Sequence, residues 1–478
     1  MSAGKQAGEV NASVGDKASV VVIGAGPAGM TAAINLAKQG VRCTVFDENS
    51  SLGGVIHCGP SRDPGKVIHL DKKIKQNIES IRSEYEKYSD YITLNLSAQV
   101  MGATHRQLAF LRQKQFKTID FDYLVISTGC YEKATPFPGW TLPGVMTLGG
   151  AQLQVKNGLV RPGQRAVLVG TGPLLPVAAV QLQKAGVNVA GVYESGRRID
   201  LAKNIFSLFN NIPLLKQGLG CLNALRNAGI PFRYGWGLVE ARGSESLEQV
   251  VLAPYDNNWR PVTEKQEVVA ADCLGVGYGF SSRTQLTQLL GLEHRFERGN
   301  EFVPVCDEWG RTSLQNVFVA GDAGTVNGAQ IALEQGKLAA IAVLMDLGKF
   351  TSGQARLQAA RIRKTTKKYI RFSKVFAEFS RMRPGLLDLP DKETIVCRCE
   401  NVTKGQIDEA IEQGVSDITT LKMVTRVGMG DCQGKVCSNY CYGRLRQQLG
   451  KDDVGELRPR FPLSPLSFDA LSDKEVSQ

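Results

Sequence analysis

Histidine is scarce: His57, His69, His105 and His294 are the only four, and none lies in a recognisable acid/base constellation. A satisfied surface or core histidine is the ordinary reading of each. The chain shows no apparatus for oxidising a substrate, and no catalytic residue is assigned. No C-x-x-C dithiol is present either. Long apolar runs are missing: nothing approaches the roughly eighteen residues that a membrane span needs. The amino end, MSAGKQAGEVNASVGDK, has no apolar core of signal-peptide length. These absences lead us to expect a chain of the reducing cytoplasm that meets a membrane only at its surface.

Cysteine is modest, eleven in 478 residues. Cys43, Cys130, Cys221 and Cys273 stand alone in apolar or mixed segments, which suits small buried hydrophobes better than disulfide partners. With 43% hydrophobic residues the chain can bury the cores of two or three domains. The net charge of +11 is concentrated in RIRKTTKKYIRFSK, 361 to 374, which holds seven basic residues and no acid. Ile362, Ile370, Phe372 and Phe376 mark an apolar side of a helix there, so a solvated linker helix lying on its own protein is expected. Anionic lipid or a partner subunit is the next reading. Nucleic acid comes last, because no stacking aromatics interleave the charges.

What is present begins with SVVVIGAGPAGMTAAINLAKQGVRCTVFDEN, 19 to 49, which reads as strand, tight turn, helix, strand. Gly24, Gly26 and Gly29 fit G-x-G-x-x-G, with Pro27 and Ala28 opening the helix. The first glycine permits the turn, the second admits a pyrophosphate, and the third lets helix and strand pack closely. Phosphates then sit at the helix amino terminus, where free N–H groups favour anions. Asp47 and Glu48 both lie where an acid would bind the ribose, and the sequence does not choose between them.

A second unit, RAVLVGTGPLLPVAAVQLQKAGVNVAGVYES, spans 165 to 195. Gly170 and Gly172 are in place, but Leu175 holds the third glycine position and Pro176 follows. Glu194 occupies the ribose-acid position, with Arg197 and Arg198 nearby. Three readings stay open: an NAD site, an adenine-nucleotide site such as one for ATP without redox use, and an inherited domain holding nothing.

Near the carboxyl end, Cys397 and Cys399 form C-x-C and Cys432 and Cys437 form C-x4-C. Four thiolates suit either zinc or an iron–sulfur cluster. Structural zinc prefers two C-x2-C knuckles, so the spacing leans toward iron–sulfur. Gly428, Gly430 and Gly434 would let backbone N–H groups approach cluster sulfides. Thr403 and Gln406 have capping-box spacing and start a helix with Ile407, Ala410 and Ile411 on one side. Further short helices are expected around Asp417 to Met423 and after Cys437. Cys441, one helical turn beyond Cys437, is a fifth thiol, read as packing.

Three stretches, SLGGVIHCGP with Gly53 and Gly54, FDYLVISTGC with Thr128 and Gly129, and LQNVFVAGDAG with Gly321 and Asp322, resemble those of two-dinucleotide-domain flavoproteins. The resemblance implies FAD, with the late Gly-Asp pair at its ribityl and pyrophosphate. CRCE and GDCQGKVC resemble the [2Fe-2S] domain of bacterioferritin-associated ferredoxins. Together with RPGLLDLPDKETIVCRCE and PFPGWTLPGVM, nearly the entire chain is similar to the FAD subunits of multi-subunit amine and amino-acid dehydrogenases. Opine oxidase A and hydrogen cyanide synthase B subunits belong to that group, as do hydroxyproline and proline dehydrogenases. LKMVTRVGMGDCQGKVCSNYC and LRPRFPLSPLSF look nearer to the cyanide synthase type.

The implied fold is α/β: a discontinuous FAD domain at 19–140 and 275–350, and an inserted NAD-like domain at 141–274. A tail at 1–18 precedes them; a basic helical linker at 351–390, a mostly helical [2Fe-2S] domain at 391–450 and a tail at 451–478 follow. The implied role is electron transfer beside an FAD subunit that oxidises an amino-acid C–N bond, glycine to HCN and CO2 in the cyanide synthase case. The respiratory chain and a small ferredoxin-like subunit are the implied partners, at the inner face of the cell membrane. An FMN at a subunit interface stays open. The rival functions are a stand-alone NADH:acceptor oxidoreductase and a non-enzymatic redox or iron-handling module.

Overall fold

The computed structural model describes residues 18–58, 72–202, 212–297 and 301–471; His69 and nearly all of the amino-terminal tail lie outside them. Val20–Ile23 is a short run of β-branched residues, all buried, as a strand covered on both faces requires. It lies at the centre of a parallel five-stranded sheet in the order Val317–Val319, Tyr123–Ile126, Val20–Ile23, Cys43–Phe46, Ile92–Asn95. Alternate side chains of the central strand go to opposite cores. Val20 and Val22 pack with the helices Pro27–Ala37 and Ala329–Asp346. Val21 and Ile23 pack with the antiparallel meander Ala98–Ala103, Gln107–Arg112, Gln115–Asp120.

The chain leaves this sheet after Tyr123–Ile126 and returns to it only at Val317–Val319. In between it builds a second parallel sheet, ordered Phe232–Tyr234, Asn188–Glu194, Arg165–Gly170, Cys273–Gly277, Val145–Thr147. The boundary expected at 274/275 runs through Cys273–Gly277, which pairs within the second sheet along its length. A two-stranded antiparallel pair, Cys130–Glu132 with Phe280–Ser282, forms the crossing between the two bodies.

The basic stretch belongs to one helix, Ser352–Phe379, started by a capping box between Thr351 and Gln354. Its buried side is Ala355, Ala359, Thr366, Phe372, Val375 and Phe379; Ile362, Ile370 and Phe376 are half-buried. After it comes the cysteine domain: a hairpin of Ile395–Cys397 and Val402–Thr403 and helices Lys404–Glu412, Ile418–Thr425 and Ser438–Leu449. The capping box of Thr403 and Gln406 forms, and Ile407, Ala410 and Ile411 are buried.

This domain is docked, not tethered. Trp140 Nε1 donates to the Ile395 carbonyl at 2.6 Å, and Tyr440 Oη to that of Leu387 at 3.1 Å. Arg444, buried, bridges Asp408 at 2.7 Å and Asp388 at 3.3 Å. The segment after the domain returns to the first body. Leu463 N–H donates to the Met101 carbonyl at 2.8 Å, and its side chain joins the core around the meander. Among the described residues no helix is long and apolar enough to cross a membrane.

Candidate functional site

Three glycine loops converge on the amino end of Pro27–Ala37. Gly24 has φ +100°, and a Cβ on it would stand 2.2 Å from the Ser127 carbonyl oxygen. A Cβ on Gly29 would stand 1.8 Å from the Gly24 carbonyl oxygen, so helix and strand meet there at the closest approach that glycine allows. Gly26 caps the helix, with Pro27 and Ala28 in its first turn. The nearest atom to a Cβ on Gly26 is the Gly54 Cα at 3.8 Å, which leaves the face of that glycine clear. Gly53 N–H donates to the Ala25 carbonyl at 2.8 Å, and a Cβ on Gly54 would meet the Gly26 Cα at 2.9 Å.

The two acids left undecided by the sequence part company. Asp47 is buried, and its carboxylate accepts from Ala25 N–H at 2.6 Å and Asn49 N–H at 2.8 Å, beneath the loop. Glu48 turns outward to Arg283 at 2.5 Å. Thr128 Oγ1 donates to the Arg283 carbonyl at 2.9 Å, and the Gly129 carbonyl accepts from Arg283 N–H at 2.9 Å. A Cβ on Gly129 would meet nothing within 4 Å. Gly321 lies against Ala28, where a Cβ would stand 2.8 Å from the alanine methyl. Asp322 accepts from Asn327 and Gly328 N–H groups at 2.9 and 3.1 Å, and burial raises its carboxyl above the usual range. A clear glycine face at a helix amino terminus, with a buried acid beside it, fits a dinucleotide.

His57 follows on the short helix Gly54–His57. Its imidazole is 2% exposed, neither ring nitrogen has a partner, and burial first, then Lys156, lowers its pKa to about 4. Lys156 reaches across from the second body and donates to the Val55 and Ile56 carbonyls at 3.1 and 2.9 Å. Nothing local in the sequence announces that bridge, since it joins residues about a hundred positions apart. His105 is exposed, and His294 stacks on Phe302 and bonds Thr287 at 2.9 Å.

In the second body Leu175 is buried between helix Leu174–Lys184 and its sheet, in the place where the first body needs glycine. Glu194 is buried and accepts from Gly172 N–H at 2.9 Å and Gly196 N–H at 2.8 Å. Burial pushes its carboxyl up to about 7. A Cβ on Gly170 would stand 1.9 Å from the Gly277 carbonyl oxygen. The face of Gly172 is covered: a Cβ there would lie 2.8 Å from Ser380 Oγ. Arg197 pairs with Asp200 and Asn257, and Arg198 lies over the Tyr234 ring at 5.0 Å.

The four carboxyl-terminal cysteines come together. Cys397 and Cys437 are buried, Cys432 is half-buried and Cys399 exposed. Their thiols hydrogen-bond in two pairs, Cys397 with Cys437 and Cys399 with Cys432. The bond to Cys437, then burial, pushes the Cys397 thiol well above its usual range. N–H groups of Gly428 and Glu400 donate to the Cys397 sulfur, and that of Cys432 to the Cys399 sulfur. A Cβ on Gly430 would stand 2.2 Å from the Cys399 Cβ. Among the described residues no three His, Cys, Asp or Glu side chains converge on a single-ion site. Two thiol pairs with amide donors fit a two-iron cluster, which takes four cysteine sulfurs. Cys441 is buried and its thiol is hydrogen-bonded with that of Cys437.

The cysteine loop also lies within electrostatic reach of the dinucleotide site. Lys435, between Cys432 and Cys437, is lowered in pKa by burial first and Arg283 second, with Glu48 and Cys432 acting the other way. The charges of the two redox-type sites therefore act on one another.

Residues 18–336 match the pyridine nucleotide-disulphide oxidoreductase family, and residues 395–445 the BFD-like [2Fe-2S] binding domain. The hydrogen cyanide synthase subunit HcnB of Pseudomonas protegens is 42% identical, covering 96% of this chain and 98% of that one. The A-type opine oxidase subunit of Rhizobium meliloti is 30% identical over 95% of this chain and 87% of its own. L-proline dehydrogenase from P. horikoshii shares the fold, with TM-score 0.68 and 20% identity over 95% of this chain and 79% of that one. The cofactors are FAD and a [2Fe-2S] cluster, and the chain belongs to the family of FAD- and [2Fe-2S]-containing oxidoreductase subunits that includes HcnB and the A-type opine oxidase subunits.

Proposed function

We propose that this chain is the electron-transferring subunit of a membrane-associated dehydrogenase that oxidises an amino-acid C–N bond, with glycine as substrate and HCN and CO2 as products. The observation that carries the reading is that the Glu48–Arg283 pair beside the dinucleotide loop lies within electrostatic reach of Lys435 in the cysteine loop of the same chain. When bound, FAD supplies two-electron chemistry and the cluster one-electron chemistry.

In this reading Gly24, Gly26, Pro27, Ala28, Gly29, Gly53 and Gly54 hold the pyrophosphate, and Asp47 the ribose, because Glu48 is committed to Arg283. Thr128, Gly129, Gly321 and Asp322 line the rest of the dinucleotide site. Cys397, Cys399, Cys432 and Cys437 hold the cluster. Gly170, Gly172 and Glu194 serve architecture. A partner FAD subunit breaks the C–N bond, a small ferredoxin-like subunit completes the complex, and the respiratory chain at the inner membrane face takes the electrons. Glycine is favoured over an opine because the cyanide synthase relative is 42% identical and the opine oxidase relative 30%.

Anaerobic titration of the purified chain, with and without co-purifying subunits, tests this. Glycine is expected to reduce flavin and cluster bands only when the partners are present. Turnover of glycine by the lone chain at the rate of the complex would sink the relay reading; reduction by octopine or nopaline in place of glycine would move the substrate.

A further inference from the structure

Between the crossing strands and the cysteine domain lies an open cleft. Its walls come from both bodies. On one side is Ser282, 5% exposed, whose hydroxyl has no hydrogen-bond partner. A buried hydroxyl left unpaired costs stability unless something in the cleft bonds to it. On the other side is the amino end of Ser438–Leu449, a helix of twelve residues. The Ser438 N–H is taken by the Gly434 carbonyl at 3.0 Å, so this end offers an anion the helix dipole and the N–H groups that follow Ser438.

Lys422 and Arg458 also line the cleft, and among the described residues no Asp or Glu does. Arg458 is shared with Glu456 at 3.5 Å, so Lys422 is the less encumbered cation. We infer that this cleft binds a phosphate-class anion, held by the Ser282 hydroxyl, Lys422 and the Ser438 helix end, and thereby clamps the cysteine domain to the flavoprotein body. An amino-acid zwitterion does not fit, because no carboxylate waits for its ammonium.

The anion would lie beside the cluster. Gly428 and Gly434 form part of the wall, and a Cβ on Gly428 would stand 4.0 Å from Cys437 Sγ. A negative charge held in that cleft favours the more oxidised cluster, so binding lowers the reduction potential. Reciprocally, the oxidised protein binds the anion more tightly.

The inference uses the cluster assignment only for that second readout. The intact chain, with its co-purifying subunits, is dialysed to equilibrium against labelled inorganic phosphate, and in a separate arm against adenosine monophosphate. Cluster midpoints are then measured in chloride and in phosphate. Saturable phosphate binding is expected, weakened about ten-fold or more by Lys422→Gln and by Ser282→Ala, with a midpoint that moves negative in phosphate. Tighter binding of the monophosphate would name a phosphate ester as the ligand; binding of inorganic phosphate alone would name the free ion. Failure to bind either probe, or binding untouched by both substitutions in variants that keep their flavin and cluster absorbance, would overturn the site. A chain that lacked the cluster would still report through dialysis, which separates the two failures.

Discussion

The Phe379 ring lies against Gly196: a Cβ on that glycine would stand 2.4 Å from the ring's Cζ. Gly196 follows Glu194 at the carboxyl end of its strand, where an adenosine would sit in a dinucleotide fold. Ser380 covers Gly172, the glycine that would meet the pyrophosphate. The end of the basic helix thus fills the second mouth from within the same chain. NADH mixed anaerobically with the chain is expected to leave the flavin band unchanged over seconds. Rapid bleaching would revive the stand-alone oxidoreductase.

Gly26→Val separates ligand space from folding space. The nearest protein atom to a Cβ there is 3.8 Å away, so the variant should fold with about the same stability yet lose its yellow colour. Gly29→Ala should fail differently. Its methyl would be 1.8 Å from the Gly24 carbonyl oxygen, an overlap that costs about 1–3 kcal/mol or more. Thermal melts with flavin absorbance distinguish the two, and a yellow Gly26→Val protein would refute the pyrophosphate assignment.

Cys432→Ser should abolish the cluster, because a hydroxyl is a poor ligand for iron beside thiolates. Iron and sulfide analysis should fall to background while FAD absorbance persists, since the dinucleotide loops lie in the other body. Loss of both cofactors would mean that the cysteine loop around Lys435 is needed to hold FAD.

Two buried groups oppose one another in acid. His57 titrates at about 4, below its ordinary 6.5, so between those values the unfolded chain holds a proton that the native chain lacks, and stability rises with pH. Glu194 titrates at about 7, above its ordinary 4.5; the native chain keeps a proton that the unfolded chain has lost, and stability falls with pH. The slopes offset across most of the window from about pH 4.5 to 6.5. Glu194→Gln removes the falling arm, so denaturation midpoints of the variant should climb more steeply between about pH 5 and 6.5 than those of the parent. Equal slopes would contradict the burial of Glu194 as a protonated acid.

Gly24, Gly26 and Gly29, the four cysteines and the Thr403 capping box were legible in the sequence because each obeys a local requirement. A turn demands positive φ, a helix start demands a side-chain acceptor, and a cluster demands thiols at a fixed interval. The choice between Asp47 and Glu48 was not local. In the fold Asp47 is held beneath the loop by Ala25 and Asn49, while Glu48 pairs with Arg283, more than two hundred residues away. The closure of the second mouth by Phe379 and Ser380, the Lys156 bridge to the Val55 and Ile56 carbonyls and the charge of Glu48 felt by Lys435 are likewise encounters between distant segments. Spacing along the chain determines which chemistry each loop can hold. Which loops share a wall is decided only when the two sheets, the long helix and the cysteine domain bury their apolar faces against one another, because burial is non-directional and carries no record of sequence distance.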